Sequence, residues 1–170
     1  GTYHADLSPD GKYMVTYFSS LDTPKRTLIA DADGVVVKSL LENSDPLEEY
    51  NVSRPELLTM TNEEGIILHA RMIKPYDFDE TKKYPVLVYV YGGPHAQMVT
   101  NSFLAGANLW MHWMANQGYI VFTLDNRGSG ERGFAFESQI HRQLGTVEME
   151  DQLTGVEYLK SLPFVDGTRM

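Results

Sequence analysis

Tyr91-Gly92-Gly93-Pro94 is the stretch best suited to carbonyl chemistry, because it directly follows the apolar run 86–90 (VLVYV). When a nucleophile adds to a carbonyl, negative charge develops on oxygen, and donors already aimed there lower the barrier. Glycine lets a backbone approach a ligand closely, and a phenol hydroxyl can donate the hydrogen bond. The same four residues also read as an ordinary turn that ends a strand with Tyr91 packed inward. Taken alone, the residue types leave both readings open.

Ser129 lies between two glycines in Arg127-Gly128-Ser129-Gly130. A serine nucleophile needs a base within hydrogen-bond reach and a sharp strand-to-helix turn to project it. Here a long stretch separates Ser129 from the next helical pattern, so Ser129 is not read as the nucleophile. Arg127 is read as an anchor that donates to nearby carbonyls rather than to a substrate. Gly128, Gly130 and Gly133 spell GxGxxG, the outline of a dinucleotide fingerprint. That motif requires an acidic residue closing a second strand, whereas Glu148, Glu150 and Asp151 open a helix, so a nucleotide cofactor is not expected. These acids suit the positive end of a helix dipole and are read as structural, not as a metal or acid–base site. The five histidines (His4, His69, His95, His112, His141) are scattered without metal-ligand spacing, and no metal is expected.

The elements that would position Tyr91 follow from hydrophobic patterning. Residues 86–90 read as a strand covered on both faces, at the centre of a sheet. Phe103, Ala107, Trp110, Met111 and Met114 recur at helical spacing up to Gly118, predicting one helix with an aromatic and methionine stripe in the core. Residues 119–124 (YIVFTL) form a second buried strand, and strand, helix, strand in that order predicts a right-handed crossover with parallel pairing. A doubly wound, mostly parallel α/β sheet follows. A long polar excursion spans 125–145. A second helix begins near Thr146 with Met149, Leu153, Val156 and Leu159 on its inner side. Residues 164–169 make a turn toward a further strand.

Upstream, residues 56–60 and 66–73 flank a turn at Gly65 and read as a β-hairpin. The polar, acidic run 42–54 reads as a connection between packed units. Before it lie short strands at 12–19, 26–30 and 35–40, separated by Ser8-Pro9-Asp10-Gly11 and Asp31-Ala32-Asp33-Gly34. Three or four such strands match one propeller blade, which cannot bury both faces alone. A free-standing β-hairpin appendage is the alternative.

An apolar fraction of 42% in 170 residues supports a packed globule. The net charge of −9, without a basic run, speaks against a nucleic-acid partner. No apolar stretch approaches the roughly 20 residues needed to cross a bilayer, so membrane insertion is not expected. Gly1 reads as a cut site rather than a natural start. The absence of cysteine excludes disulfide, thiolate and zinc–sulfur chemistry.

The run 84–94 (YPVLVYVYGGP), then Asp125-Asn126-Arg127-Gly128-Ser129-Gly130, then 144–152 (LGTVEMEDQ) resembles the prolyl oligopeptidase family, most of all its dipeptidyl peptidase IV branch. Ser8-Pro9-Asp10-Gly11-Lys12-Tyr13 is similar to the opening of a blade in that family's propeller. The resemblance implies the C-terminal part of a β-propeller at 1–48 and the N-terminal half of an α/β-hydrolase domain at 49–170. It implies a serine exopeptidase that removes N-terminal dipeptides with proline or alanine second, acting on peptides without a cofactor, with a homodimer as a possible assembly. Tyr91 matches the family's oxyanion tyrosine. The family's serine elbow, aspartate, histidine and amine-binding acids have no counterpart among these residues, so 1–170 alone are expected to be inactive. A non-catalytic binding or scaffold protein of the same architecture is the alternative. Similarity to bacterial relatives points to a periplasmic or secreted location.

Overall fold

The computed structural model describes residues 1–170 as a mixed α/β structure with two four-stranded sheets. The first sheet is an antiparallel meander of β1 (Thr2–Leu7), β2 (Tyr13–Ser20), β3 (Thr23–Asp31) and β4 (Val36–Glu42). Its turns are held by short polar side chains: Ser8 Oγ donates to Asp10, and Asp31 accepts the N–H groups of Asp33 and Val35. β1 and β4 are exposed along their whole length. The polar run that follows forms turns without strand or helix.

The second sheet has the order β5-β6-β8-β7, from β5 (Glu56–Thr61), β6 (Ile67–Ile73), β7 (Val86–Val88) and β8 (Ile120–Asp125). β5 and β6 form the expected hairpin. β7 and β8 pair in parallel across the intervening helix, as the strand, helix, strand order requires. The expectation of a mostly parallel sheet is corrected, because β6 pairs antiparallel with both β5 and β8. A short hairpin can join only antiparallel strands. The place of 86–90 is corrected as well: only Val86–Val88 is strand, and it lies at the sheet's edge, not its centre. Residues 164–169 engage the start of that edge through a parallel bridge from Tyr84 to Val165 and the bond from Val86 N–H to Arg169 O, 2.9 Å.

Side-chain alternation in β6 and β8 divides the core in two. Leu68, Ala70, Met72, Ile120, Phe122 and Leu124 share one face, packed with Val86, Phe136, Leu159 and Val165. Ile73 and Val121 share the other, under Met111 and Ala115. β8 is buried at all six positions, as a strand covered on both faces must be. On the first face α3 (Val147–Ser161) comes so close that a Cβ on Gly155 would sit 3.1 Å from Leu124 and Phe122 side-chain atoms. A side chain there would require Leu124 and Phe122 to give way by a few tenths of an ångström.

The helical segments differ from the sequence reading in three respects. The 103–114 stripe is not one helix. Phe103–Gly106 is a 3-10 turn with Leu104, Ala105 and Gly106 at positive φ, and α1 (Leu109–Asn116) starts afresh after Asn108, whose side chain accepts the Met111 N–H. Met111 is buried, but Trp110 is 46% exposed, so the tryptophan is not core. The 125–145 stretch is not simply a polar excursion, since residues 125–130 are buried and α2 (Phe134–Glu137) lies within it. Finally, α3 buries Glu148, Asp151, Gln152, Gly155 and Leu159, while Met149 and Leu153 face outward. Leu159 alone of the expected apolar face is buried. Asp151 turns inward to meet Arg127, a buried cation that requires a carboxylate opposite it, and Glu148 folds back onto the N–H groups of Gly145 and Thr146.

Candidate active site

β7 delivers the chain to Tyr91. The Tyr89 N–H continues the parallel ladder onto Phe122 O at 2.8 Å, and the chain leaves the sheet just beyond. Tyr91 is 59% exposed and its hydroxyl makes no hydrogen bond within the chain, so the inward-packed alternative does not hold. Its ring lies over the backbone of Gly93, where a Cβ would come within 3.1 Å of the ring edge. Gly93 therefore permits this pose, and Gly92 turns the chain at φ 76°. An unengaged phenol above a tight glycine turn can donate to an oxygen arriving from outside.

The loop from Tyr91 to Asn108 is tied to the sheet at several points. His95 N–H donates to Gly128 O at 3.2 Å, which brings the two glycine-rich segments together. The Asp125 carboxylate accepts the N–H groups of Met98 and Val99, each at 2.9 Å. Burial raises the Asp125 pKa, and these two N–H groups with Arg71 only partly offset the rise. Arg71 donates to Met98 O at 2.8 Å, Ala105 O at 2.7 Å and Thr123 Oγ1 at 3.1 Å. Sequence reasoning missed Arg71 and the acceptor role of Asp125. A charged residue at an inner, period-two position of β6 (ILHARMI) was the available signal.

Arg127 anchors its loop, as its position suggested, but chiefly through carboxylates. Its Nε lies 3.0 and 3.1 Å from the two oxygens of Asp151, which is fully buried, and one Nη meets Glu64 at 2.7 Å. Asp151 also accepts the Arg127 N–H and the Asn62 amide, so hairpin, helix and loop converge on one carboxylate. Burial opposes the guanidinium charge, but Asp151 and Glu64 outweigh it and raise the Arg127 pKa. Glu148 accepts the N–H groups of Gly145 and Thr146, and Glu150 reaches Arg127 at 3.3 Å. The acidic cluster is thereby accounted for by structure.

Ser129 is buried and no histidine hydrogen-bonds its hydroxyl. His141 lies elsewhere, lining a concavity of about 940 Å³ with Pro94, His95, Phe134 and Leu144. His95 pairs with Glu137 beside that concavity. The loops of Tyr91 and Arg127 are thus connected to each other and to Asp125 at the end of β8, whereas Ser129 and His141 form no catalytic pair with each other.

Residues 107–170 match the model of the prolyl oligopeptidase family. Mouse dipeptidyl peptidase 8 is 35% identical over 133 residues, and mouse prolyl endopeptidase FAP is 32% identical over 172. The matches cover 78% and 99% of this chain but only 15% and 22% of those proteins. Among solved structures, a Bacteroides ovatus protein assigned as a dipeptidyl aminopeptidase IV superposes with a TM-score of 0.95 at 44% identity. Porphyromonas gingivalis dipeptidyl peptidase 4 superposes with a TM-score of 0.91 at 31% identity. Each alignment covers 99% of this chain and 24% of the other. Strand order, the exposed tyrosine after β7 and these likenesses lead to one assignment: the chain belongs to the prolyl oligopeptidase family.

Proposed function

We propose that these residues form part of a serine exopeptidase that releases N-terminal dipeptides with proline or alanine second, and that Tyr91 stabilises the oxyanion. The observation that carries the reading is the free, exposed phenol of Tyr91 at the end of a strand paired in parallel with β8. The names of the relatives, dipeptidyl peptidases among them, support the substrate class. In this reading 1–48 are the last part of a β-propeller and 49–170 the first half of an α/β-hydrolase domain, whose serine, aspartate and histidine lie outside 1–170.

The serine hydroxyl, deprotonated by the histidine, adds to the carbonyl of the second residue. Tyr91 O–H and the N–H after the serine donate to the resulting anion. Collapse breaks the C–N bond, the histidine protonates the departing amine, and water then hydrolyses the dipeptidyl ester. The parent protein, incubated with a peptide carrying proline second, should release the dipeptide in a mass spectrum and take a fluorophosphonate label on a serine outside 1–170. An intact peptide and no label would favour the scaffold reading instead.

A further inference from the structure

The loop that carries Tyr91 is held in a conformation it would not choose by itself. Its backbone has positive φ at Gly92 (76°), His95 (64°), Leu104 (56°), Ala105 (54°) and Gly106 (73°). Three of these residues carry a side chain and are disfavoured in the left-handed region. Such backbone persists only where its surroundings over-determine it.

Two buried charges on one face of the sheet supply that determination. The register His69↔Asp125 and Arg71↔Thr123 sets Asp125 and Arg71 diagonally on adjacent strands. Asp125 is 4% exposed and Arg71 1%. They form no direct ion pair; Asp125 spends its hydrogen bonds on the loop, and Arg71 gives one Nη to the loop and the other to Thr123 and Met111. Asp125 takes the N–H groups of Met98 and Val99, while Arg71 takes the carbonyls of Met98 and Ala105. Met98 is therefore gripped through both its N–H and its C=O, and the left-handed turn is fixed through Ala105 O. Tyr91 itself makes no hydrogen bond, so the backbone fixes where its hydroxyl stands. Buried charges are costly and apolar packing often replaces a buried ion pair without loss. A pair directed at loop peptide groups does what apolar side chains cannot.

We infer that Asp125 and Arg71 are positioning residues for the Tyr91 hydroxyl, a role that rests on the oxyanion reading above. The test is a double-mutant cycle in the parent enzyme with a Gly-Pro anilide as substrate. Asp125→Asn keeps the shape but turns an amide NH2 toward one loop N–H, and Arg71→Met removes the single Nη that donates to both loop carbonyls. Each should lower kcat about 10-fold to 100-fold, the scale of a small misplacement, with little change in KM. In a Tyr91→Phe background the same substitutions should lower kcat by less than about 2-fold, because the group they position is gone. Equal losses in both backgrounds would overturn the inference and leave the oxyanion reading standing. If Tyr91→Phe alone left kcat unchanged, the oxyanion reading would fall and this inference with it. Should both charge variants fail to fold, amide exchange in the unaltered enzyme decides: Met98 and Val99 must be strongly protected, and rapid exchange there overturns the clamp.

Discussion

At the scale of single residues, the chain relies on buried polar groups that composition does not reveal. His112 is 2% exposed and neither ring nitrogen has a hydrogen-bond partner. Burial lowers its pKa from 6.5, and the cations Arg71 and Arg54 act in the same direction. The unfolded chain therefore binds a proton that the folded chain rejects. Stability from this residue is complete above the unfolded value of 6.5 and is lost as pH falls toward the lower folded value. In the parent protein, His112→Leu should flatten the fall in denaturation midpoint between about pH 7 and about pH 5. An unaltered slope would show that other groups set it. Tyr91 was legible from its place after an apolar run beside two glycines. Arg71 showed only as a charge at an inner position of β6, and His112 gave no signal, because burial of a polar residue depends on which strand or helix faces it.

At the scale of elements, hydrophobic period predicted the strands well and the helix faces poorly. β8 was legible as an apolar run covered on both faces, and the β5-β6 hairpin from the turn at Gly65. α3 was found, yet its inner face was misjudged, since Asp151 and Glu148 are buried where Met149 and Leu153 were expected. A hydrophobic count cannot register a helix that turns one carboxylate inward to a buried arginine and another back onto its own N-terminal N–H groups. Asp151→Asn tests that contact by leaving Arg127 without its buried charge partner. In the parent protein it should cost about 3–5 kcal/mol in chemical denaturation, the usual loss when one member of a buried pair is removed. A loss below about 1 kcal/mol would mean that Glu64 and Glu150 suffice to hold the loop. The split of 103–114 into a left-handed turn and α1 was likewise hidden, because Asn108 caps the second segment inside a continuous apolar pattern.

For the molecule as a whole, the accessible surface of 10010 Å² exceeds the roughly 8,400 Å² of a compact monomer of 19.2 kDa. Exposed apolar residues account for part of this excess, among them Val36 and Leu41 on β4, Val90 beyond β7, and Phe134 and Leu144 beside the concavity. The outer edge of β7 is paired only at its start, by residues 164–169. Residues 1–170 produced alone should therefore associate or melt without cooperativity in light scattering and thermal denaturation. A monodisperse monomer with a sharp transition would contradict that reading of the surface. The central claim is chemical, and the acylation rate of the parent enzyme after Tyr91→Phe tests it most directly. Acylation should slow about 10²-fold to 10³-fold, the effect of one lost oxyanion donor, while the affinity for uncleaved peptide holds. Acylation at the unaltered rate would contradict the account.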